Sequence, residues 1–542
     1  MKTDPRHYFR MTTSDGSAHS SMTVSEAVVE SQACLQCGGP VAPAPCTAAC
    51  PTGIDIPGFI KDIADGMPVE AARKIFEKNI LGGSCARVCP VEELCQGMCV
   101  LKFEGRRAIE IGRLQRHATD KAMADHAAVT PVVPRVKREE SVAVIGAGPA
   151  GLGCAAELAR LGYRVTVYEM RDQPGGLVVH GIAPYKQLVD PLPREAELIR
   201  QMGVTFRYGV RVGWDVSVEQ LRREHAAVFV GVGMGDDLPA KIPGENMAGI
   251  WESLPFIEKL KLGNPGEMQL GQRVAIIGGG NTAIDVAREA RMLGIPEVMM
   301  LYRRTEAQMP AYRHEIAAAK AEGVKIMELV APMTFVGDDR VRGVRCVRME
   351  LGPPDASGRP KPVPMLGSEF IVEVDSVVKA IGQAPRSEFF KKIGLNTDWN
   401  IKVDGEMQTG EKWAFAGGDV INGGATVVEA VRDGREAAKA IDRYLTGRAK
   451  VPAPTPAPSR VERDNGTIKY FQGNNRLMMA PALCKGCNIC VTGCPSDTLA
   501  LDNAGKIIAK DGNTCVYCGI CEARCPDFAI WVVKDEKAEV AV

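Results

Sequence analysis

The sequence predicts an α/β protein whose core is two nested nucleotide-binding folds, with a cysteine-rich unit at each end of the chain. Three observations support this fold class. A strand, glycine-rich turn, helix and second strand follow one another from Ser141, and the same order begins again near Gly271. Of the 18 cysteines, eight lie between positions 34 and 99 and eight between 484 and 525. A chain of 542 residues is long enough for several domains of about 100–200 residues each.

Composition narrows the functional classes. The chain has 66 basic and 66 acidic residues, a balance that favours neither nucleic-acid nor membrane-surface binding. It contains no apolar run near the roughly 20 residues of a membrane span, and no signal-peptide core near its start. We therefore expect a cytoplasmic location. Because reducing compartments disfavour disulfides, the two groups of cysteines predict metal sites.

The first nucleotide fold centres on the stretch 141–169, SVAVIGAGPAGLGCAAELARLGYRVTVYE. Its apolar start predicts a buried parallel strand. Gly146 then makes a tight turn, Gly148 lets a pyrophosphate approach the backbone, and Gly151 lets helix and strand pack closely. The helix N-terminus offers N–H groups to the phosphates, and Glu169 can accept hydrogen bonds from a ribose. The predicted dinucleotide contacts are Gly146, Gly148, Pro149, Ala150, Gly151 and Glu169.

The second nucleotide fold reads RVAIIGGGNTAIDVAREARMLG and then EVMMLYRR. Its second strand ends in Arg303 and Arg304 instead of an acid. A carboxylate there would bind a ribose 2′-OH, whereas arginine suits a 2′-phosphate. The pattern favours NADP(H) over NAD(H), and a solvated basic turn is the alternative. The predicted contacts are Gly278, Gly279, Gly280, Asn281, Thr282, Arg303 and Arg304.

Two nested nucleotide folds suit a flavin reductase in which one fold holds FAD and the other the nicotinamide. The later strand and turn WAFAGGDV would bring Gly418 and Asp419 to the ribityl–phosphate region of FAD. Ala425 and Thr426 then open a helix whose N-terminus can stabilise a reduced, anionic flavin. The alternative is a turn and helix of an ordinary α/β domain. No C-x-x-C lies between positions 100 and 483, which argues against a dithiol-relay reductase.

The cysteines near the C-terminus follow a duplicated pattern, C-x2-C-x2-C-x3-C-P. This is the bacterial ferredoxin run, in which the fourth cysteine of each run serves the other cluster. Zinc sites have different spacing. The pattern predicts one [4Fe–4S] cluster on Cys484, Cys487, Cys490 and Cys525, and another on Cys515, Cys518, Cys521 and Cys494.

The N-terminal cysteines are spaced less regularly, as C-x2-C-x8-C-x3-C-P from Cys34 and C-x3-C-P-x4-C-x3-C from Cys85. Spacing alone is compatible with two further iron–sulfur clusters. Residues about 30–446, which include these cysteines and both nucleotide folds, resemble the glutamate synthase small (beta) subunit and the N-terminal half of dihydropyrimidine dehydrogenase. The resemblance rests on the order of the units and on the phrases QPGGL at 173–177, GIA at 181–183, YRR at 302–304 and IGQAP at 381–385. The tail resembles the C-terminus of dihydropyrimidine dehydrogenase.

The resemblance implies two nested Rossmann-like domains, preceded by an α-helical iron–sulfur domain and followed by an α+β bacterial-ferredoxin-like domain. It adds Gly176, Leu177 and Gly382 to the cofactor contacts. It also implies ligands for two N-terminal clusters, for a total of four [4Fe–4S] clusters beside FAD. Cys85, Cys154 and Cys346 would be packed cysteines outside the clusters. The implied ligand sets are Cys34, Cys37, Cys46 and Cys99 for one cluster, and Cys50, Cys89, Cys95 and Gln115 for the other.

The activity implied by the resemblance is electron transfer between NAD(P)H and iron–sulfur clusters through FAD. A flavin is needed because nicotinamide gives a hydride and clusters accept single electrons. Positioning is then the protein's task, and no general acid, base or nucleophile is required. The chain has no residues left for the FMN barrel of dihydropyrimidine dehydrogenase, and glutamate synthase needs a further large subunit, so a terminal substrate site would lie on another polypeptide.

We therefore expect the NAD(P)-reducing subunit of a hetero-oligomer, such as a 2-oxoacid:acceptor oxidoreductase, or a ferredoxin:NAD(P) reductase. Its partner would be ferredoxin or a catalytic subunit. One alternative is the electron-input subunit of a two-subunit dihydropyrimidine dehydrogenase or a glutamate-synthase-like enzyme. Another is an electron-wiring scaffold with a degenerate nicotinamide site. The expected domains are 1–130 (helical iron–sulfur), 131–250 (FAD, first part), 251–370 (NAD(P)), 371–447 (FAD, second part), 448–470 (linker) and 471–542 (ferredoxin-like).

Overall fold

The computed structural model describes most of the chain and confirms the predicted fold class. Residues 1–19 of the expected N-terminal unit and residues 449–459 of the expected linker lie outside the described residues. Among the residues that are described, no helix is both long and apolar enough to cross a membrane. The described residues are 20–38, 43–103, 105–124, 129, 131, 133–134, 137–263, 265–354, 358–395, 397, 399–448, 460–464, 467–472, 475–510 and 515–534.

The N-terminal unit is helical, as predicted. Ile56, Phe59, Ile60 and Ile63 recur at helical spacing and are buried, so that one apolar face packs inward. This core is continuous with that of the first nucleotide fold. The helices are α1 (Val24–Gln32), α2 (Pro45–Ala48), α3 (Ile56–Ala64), α4 (Pro68–Lys78), α5 (Gly82–Val88), α6 (Val100–Phe103) and α7 (Ile111–Ala124).

The first nucleotide fold is a five-stranded parallel sheet in the order β14-β4-β1-β2-β3. The apolar run at its start forms the central strand, in which four of five residues are buried. Its elements are β1 (Ser141–Ile145), α8 (Pro149–Arg160), β2 (Arg164–Tyr168), α9 (Leu177–His180), α10 (Leu192–Gln201), β3 (Thr205–Arg207), α11 (Val218–Glu224) and β4 (Ala227–Val230), and later α15 (Ser387–Lys392), β14 (Ala414–Ala416), α16 (Asp419–Asn422) and α17 (Val427–Thr446).

The second nucleotide fold lies between β4 and β14 in the chain, as the nested order predicted. Its parallel sheet has the order β5-β13-β6-β7-β8, and an antiparallel arm of β9 to β12 extends from it. The sheet includes residues 376–379, which lie beyond the range 251–370 expected for this domain. The domain boundaries stay predictions. The elements are β5 (Ile250–Glu252), α12 (Ser253–Leu262), β6 (Arg273–Ile277), α13 (Asn281–Met292), β7 (Glu297–Tyr302), α14 (Arg313–Ala321), β8 (Lys325–Glu328), β9 (Val330–Gly337), β10 (Val341–Pro354), β11 (Pro360–Pro364), β12 (Phe370–Glu373) and β13 (Ser376–Lys379).

The C-terminal unit has one antiparallel sheet of four strands and a second of two strands. Its small core is built from Leu477, Met479, Leu499 and Ile530 together with cysteines of both runs. The elements are β15 (Arg460–Asp464), β16 (Thr467–Gln472), β17 (Asn475–Met479), α18 (Ile489–Thr492), β18 (Leu499–Leu501), β19 (Ile507–Ala509), α19 (Ile520–Arg524) and β20 (Ile530–Lys534).

Candidate nucleotide and iron–sulfur sites

The glycine loop between β1 and α8 has the shape that a pyrophosphate site needs. Gly146 has a φ of +97°, and a Cβ there would lie 2.6 Å from the carbonyl oxygen of Gly231. A Cβ on Gly151 would overlap the carbonyl oxygen of Gly146. Around Gly148, in contrast, no atom comes closer than 3.9 Å to an added Cβ. The loop is therefore packed on the protein side and open where a ligand's phosphates would lie.

Hydrogen-bond donors remain available on the open side of this glycine loop. No side chain caps the N-terminus of α8 at Gly148, so its first N–H groups can serve an anion. Glu169 is buried, and its Oε2 accepts a hydrogen bond from Ala147 N at 2.7 Å. Its Oε1 accepts one from Arg171 N at 2.9 Å. Each carboxylate oxygen has a further lone pair, so Glu169 shapes the loop and can still bind a ribose.

The predicted flavin contacts converge on the same helix end. A Cβ on Gly176 would lie 3.0 Å from Gly148 Cα, and a Cβ on Gly418 would lie 2.8 Å from Ala150 Cβ. Leu177 begins α9 directly after Gly176. The sequence thus brings three separated segments, 146–151, 176–177 and 418–419, around one opening.

Asp419 and Thr426 organise the turn before α17. Asp419 Oδ1 accepts a hydrogen bond from Ala425 N at 3.0 Å, and burial raises the pKa of its carboxyl group. Thr426 caps α17 in a reciprocal arrangement with Glu429. Asp433, which the sequence reading missed, accepts a hydrogen bond from Gly418 N at 3.2 Å. These bonds fix the turn that carries the predicted ribityl contacts.

The glycine turn of the second fold is built in the same way. A Cβ on Gly278 would overlap the carbonyl oxygen of Ala380, and one on Gly279 would lie 2.5 Å from the ring of Tyr302. Among the described residues, no atom lies within 4 Å of a Cβ added at Gly280, and no side chain caps α13 there. This turn is again open at the helix N-terminus, where a second dinucleotide fits.

The other contacts predicted for this fold differ in their surroundings. Asn281 Oδ1 accepts a hydrogen bond from Tyr312 N at 3.0 Å, and Thr282 is half-buried. Arg303 is exposed just after β7. Arg304 is buried, and its Nε donates to the carbonyl oxygen of Pro360 at 2.8 Å. Gly382, at a φ of +117°, accepts a hydrogen bond from Leu238 N at 2.8 Å.

A buried polar contact joins the two nucleotide folds. Tyr185 OH donates to Asp285 Oδ1 at 2.7 Å. Lys186 Nζ lies 2.8 Å from Asp285 and 2.6 Å from Glu315. Glu289 accepts a hydrogen bond from the backbone N of Tyr185 at 3.0 Å. Since breaking a buried pair leaves an uncompensated charge, this contact holds the folds in one relative orientation.

Four N-terminal cysteines line one apolar cavity. They are those that the family resemblance assigns to the first cluster, and Pro57 and Ile60 line the cavity with them. Burial and then the charges of neighbouring cysteines raise the pKa of Cys37 to about 12. Cys46 reaches the cavity although eight residues separate it from Cys37. The cavity-lining cysteines are Cys34, Cys37, Cys46 and Cys99.

A second group forms where α5 ends. A hydrogen bond with Cys85, burial, and the charges of Cys95 and Cys50 raise the pKa of the Cys89 thiol. Gln115 is buried beside α5, and its Nε2 donates to the carbonyl oxygen of Gly82 at 2.7 Å. Cys85 therefore lies beside the group of Cys50, Cys89 and Cys95, whereas Gln115 contacts the first turn of α5. The ligand role of Gln115 stays a prediction.

In the tail, the last cysteine of each run lies near the first three cysteines of the other run. Burial and the charges of Cys484, Cys525 and Cys487 raise the pKa of Cys490 to about 11. No three His, Cys, Asp or Glu side chains in the described parts of the chain converge tightly enough for a single metal ion. The second group instead lines a cavity, and its members are Cys494, Cys515, Cys518 and Cys521.

The four cysteine groups lie in series. Burial, and next the charge of Cys95, raises the pKa of Cys46. Because Cys46 belongs to the first N-terminal group and Cys95 to the second, these two groups are neighbours. The backbone N of Gly38 donates to the carbonyl oxygen of Cys518 at 3.1 Å, which joins the N-terminal unit to the tail. Within the tail, the charge of Cys490 also contributes to the raised pKa of Cys521.

The flavin end of this series is fixed by contacts that the sequence did not predict. Arg435 on α17 donates to the carbonyl oxygen of Thr52, close to Cys50, at 3.1 Å. Glu195 accepts hydrogen bonds from Gly83 N at 2.7 Å and Ser84 Oγ at 2.6 Å, and burial raises its pKa to about 7. The available signal was its position on the apolar stripe of α10, where the other buried residues are Leu192, Ala196, Leu198 and Ile199.

Comparison with known families agrees with these units. Residues 140–434 match the pyridine nucleotide-disulphide oxidoreductase family. Residues 12–127 match the 4Fe–4S cluster domain II of dihydropyrimidine dehydrogenase, and residues 483–530 match a 4Fe–4S dicluster domain. The fold and its sites thus define an FAD- and NAD(P)-dependent iron–sulfur oxidoreductase.

The most similar relatives include subunits of several enzymes. The glutamate synthase (NADPH) small chain of Azospirillum brasilense is 38% identical over 434 residues, covering 77% of this chain and 89% of that protein. The NADP(+)-dependent formate dehydrogenase subunit beta of Moorella thermoacetica is 39% identical, covering 75% and 60%. The NADPH-Fe(3+) oxidoreductase subunit beta of Geobacter sulfurreducens is 38% identical, covering 74% and 64%. The chain belongs to the glutamate synthase small-chain family of pyridine nucleotide-disulphide oxidoreductases, as the sequence predicted.

Proposed function

We propose that this chain is the NADP(H)-linked subunit of a larger enzyme and moves electrons between NADP(H) and a protein partner through FAD and four [4Fe–4S] clusters. The observation that carries the proposal is the series of four cysteine groups, which runs from the contact of Arg435 on α17 with Thr52 to the exposed Cys487. An oxidoreductase that completed its reaction at the flavin would have no use for such a series. The proposal also includes a cytoplasmic location.

Each part of the chain has a defined task in this proposal. The open glycine turns at Gly148 and Gly280 bind the two dinucleotides, and the Tyr185–Asp285 contact fixes the folds that carry them. Bound FAD supplies the exchange between hydride and single electrons. Arg303, exposed after β7, is placed to favour a 2′-phosphate and so NADP(H).

The names of the relatives support a partner protein. Two of those described above are called beta subunits and one a small chain. We propose a hetero-oligomer whose partner is ferredoxin or a catalytic subunit, and a 2-oxoacid:acceptor oxidoreductase as the whole enzyme. The match to domain II of dihydropyrimidine dehydrogenase favours one alternative, the electron-input subunit of a two-subunit enzyme of that kind. A glutamate-synthase-like enzyme is the other.

Anaerobic titration of the purified holoprotein with NADPH tests the proposal. We expect rapid loss of flavin absorbance, followed by the paramagnetic signals of reduced clusters. Iron analysis should find about 16 iron atoms per chain if four [4Fe–4S] clusters are present. If neither NADPH nor NADH reduces the flavin, the chain is an electron-wiring scaffold with a degenerate nicotinamide site. Identification of the proteins that co-purify with the native chain then separates the candidate whole enzymes.

A further inference from the structure

The two halves of the ferredoxin-like tail repeat each other in detail. Asn488 has a φ of +64° and Gly519 a φ of +75°, and each caps a short helix. Backbone N–H groups donate to cysteine sulfurs at equivalent places, 3.3 Å from Gly486 N to Cys484 Sγ and 3.3 Å from Tyr517 N to Cys515 Sγ. The repeat therefore pairs Cys487 with Cys518, and Ile489 with Ile520.

The second half is covered by the N-terminal unit. Cys518 is 8% exposed and Ile520 is 5% exposed, and both pack against Val100. Cys37, of the first N-terminal cysteine group, packs on the same cluster. At this face one iron–sulfur unit thus docks on another through a cysteine and an isoleucine.

Among the residues that the structure describes, nothing covers the equivalent face of the first half. Cys487 is exposed and Ile489 is 37% exposed. Leu483 and Phe528 are 58% and 80% exposed. Their segments lie side by side because Lys485 N donates to Asp527 Oδ2 at 3.2 Å. Single exposed apolar residues are ordinary, but a group of them around a redox ligand indicates an interaction site.

We propose that this distal face, formed by Leu483, Cys487, Ile489 and Phe528, binds a ferredoxin, a small iron–sulfur protein with a cluster near its surface. The internal repeat indicates the kind of partner, because an iron–sulfur unit already covers the equivalent face at Cys518 and Ile520. The inference rests on the proposed function and names the site at which its partner binds. In the direction of NADP+ reduction, two reduced ferredoxins each give one electron at this face. Together with one proton these electrons convert NADP+ to NADPH.

The test uses the full-length holoprotein, NADP+ and a chemically reduced bacterial two-[4Fe–4S] ferredoxin as the probe. Ile489→Asp should lower kcat/KM for ferredoxin at least tenfold and weaken direct binding of oxidised ferredoxin, measured without NADP+, by a similar factor. The rate of NADPH oxidation by ferricyanide and the paramagnetic spectra of the clusters should stay unchanged. Leu366→Asp is the matched control, because Leu366 is 94% exposed on the arm of the second fold.

A second variant decides the matter if Ile489→Asp disturbs cluster content. Phe528→Asp changes a more exposed side chain and should give the same loss of ferredoxin binding. Unchanged kcat/KM and binding in these variants would overturn the proposal, as would a wild-type chain that neither binds ferredoxin nor exchanges electrons with it. Those results leave the proposed function standing, because it also allows a catalytic subunit as the partner and is tested separately by the reduction of the bound flavin and clusters with NADPH.

Discussion

Replacing Gly434 with alanine tests whether the crossing of α8 and α17 sets the shape of the predicted FAD site. Gly434 lies within α17, at its contact with α8. A Cβ there would overlap the carbonyl oxygen of Ala150 and lie 2.8 Å from the backbone N of Cys154. The added Cβ would lie 2.0 Å from the Ala150 oxygen. Since non-bonded contacts normally lie at about 3.5–4.0 Å, the helices would have to separate by roughly 1.5 Å. The neighbours are backbone atoms, so no side chain can rotate away.

The sign of the effect distinguishes this crossing from an ordinary helical glycine. Alanine in an open helix is favoured over glycine by about 1 kcal/mol. Overpacking costs about 1–3 kcal/mol, and contact with backbone places Gly434→Ala near the upper end. We therefore expect a net loss of stability of about 1–2 kcal/mol. FAD retention should fall too, because the shift moves the N-termini of α8 and α17 apart.

The measurements are the midpoint of denaturant unfolding and the amount of flavin retained per chain after gel filtration. Gly410→Ala is the control, since no atom lies within 4 Å of a Cβ at that position. If Gly434→Ala raised the midpoint and retained full flavin, the helix crossing would not be tight enough to set the site.

Three further predictions concern side chains at the candidate sites. Arg303→Ala should weaken NADPH binding by about 1.5–3 kcal/mol, because a charge-assisted contact is lost, and should leave NADH binding unchanged. Arg304→Ala should mainly lower the stability of the fold. Equal losses of NADPH and NADH binding with Arg303→Ala would contradict this prediction. Gln115→Cys should keep the iron content but lower one cluster's reduction potential, because a thiolate adds negative charge. If the reduction potentials of all clusters stayed unchanged, Gln115 would be excluded as a ligand. Lys261 donates to the carbonyl oxygens of Val178 and Ile182, and burial lowers its pKa to about 7. The unfolded chain, with an ordinary lysine pKa near 10.4, then binds more protons above pH 7 or so. The free energy of unfolding of the wild type, relative to that of Lys261→Met, should therefore rise between about pH 7 and 10 by at most roughly 1.4 kcal/mol per pH unit. Parallel pH profiles of the two proteins in denaturant unfolding would disprove this prediction.

Local patterns explain why the core of the fold could be predicted from the sequence. The strand, glycine turn and helix from Ser141 to Arg160 form where their periodicity places them. The turn at Gly146 needs a positive φ, and a glycine at this point of an apolar strand signals that need directly. The same holds for Gly278. The cysteine spacing of the tail was equally informative, because each run is local in sequence and fixes its own turns.

Contacts between distant segments could not be predicted in this way. Glu195 has the sequence context of an ordinary helix, yet it binds the first turn of α5 more than 100 residues earlier in the chain. The contact of Gly38 with Cys518 joins units that carry no shared pattern. Arg303 and Arg304 were treated alike, although neighbouring residues at the end of a strand face opposite sides. Only the packed structure separates the exposed arginine from the buried one.

Removal of the tail tests whether electrons leave the protein through the ferredoxin-like unit. A chain ending near Arg448 should fold, retain FAD and oxidise NADPH with ferricyanide, since the core shared by the N-terminal helices and the first fold does not include the tail. If four [4Fe–4S] clusters are present, its iron content should fall by about half, because the two clusters proposed for the tail would be lost. Electron exchange with the native partner protein should be lost.

Truncation also uncovers Val100, which is 2% exposed in the intact chain, so Ile520→Asp in the full-length protein is the companion variant. It should weaken docking of the tail on the N-terminal unit while keeping the iron content of the wild type. Partner reduction should then slow, whereas NADPH oxidation by ferricyanide should not. If both variants exchanged electrons with the partner at the full rate, the outlet would be the N-terminal unit itself. The contact between Cys37 and Cys518 would then hold the tail in place without lying on the electron path.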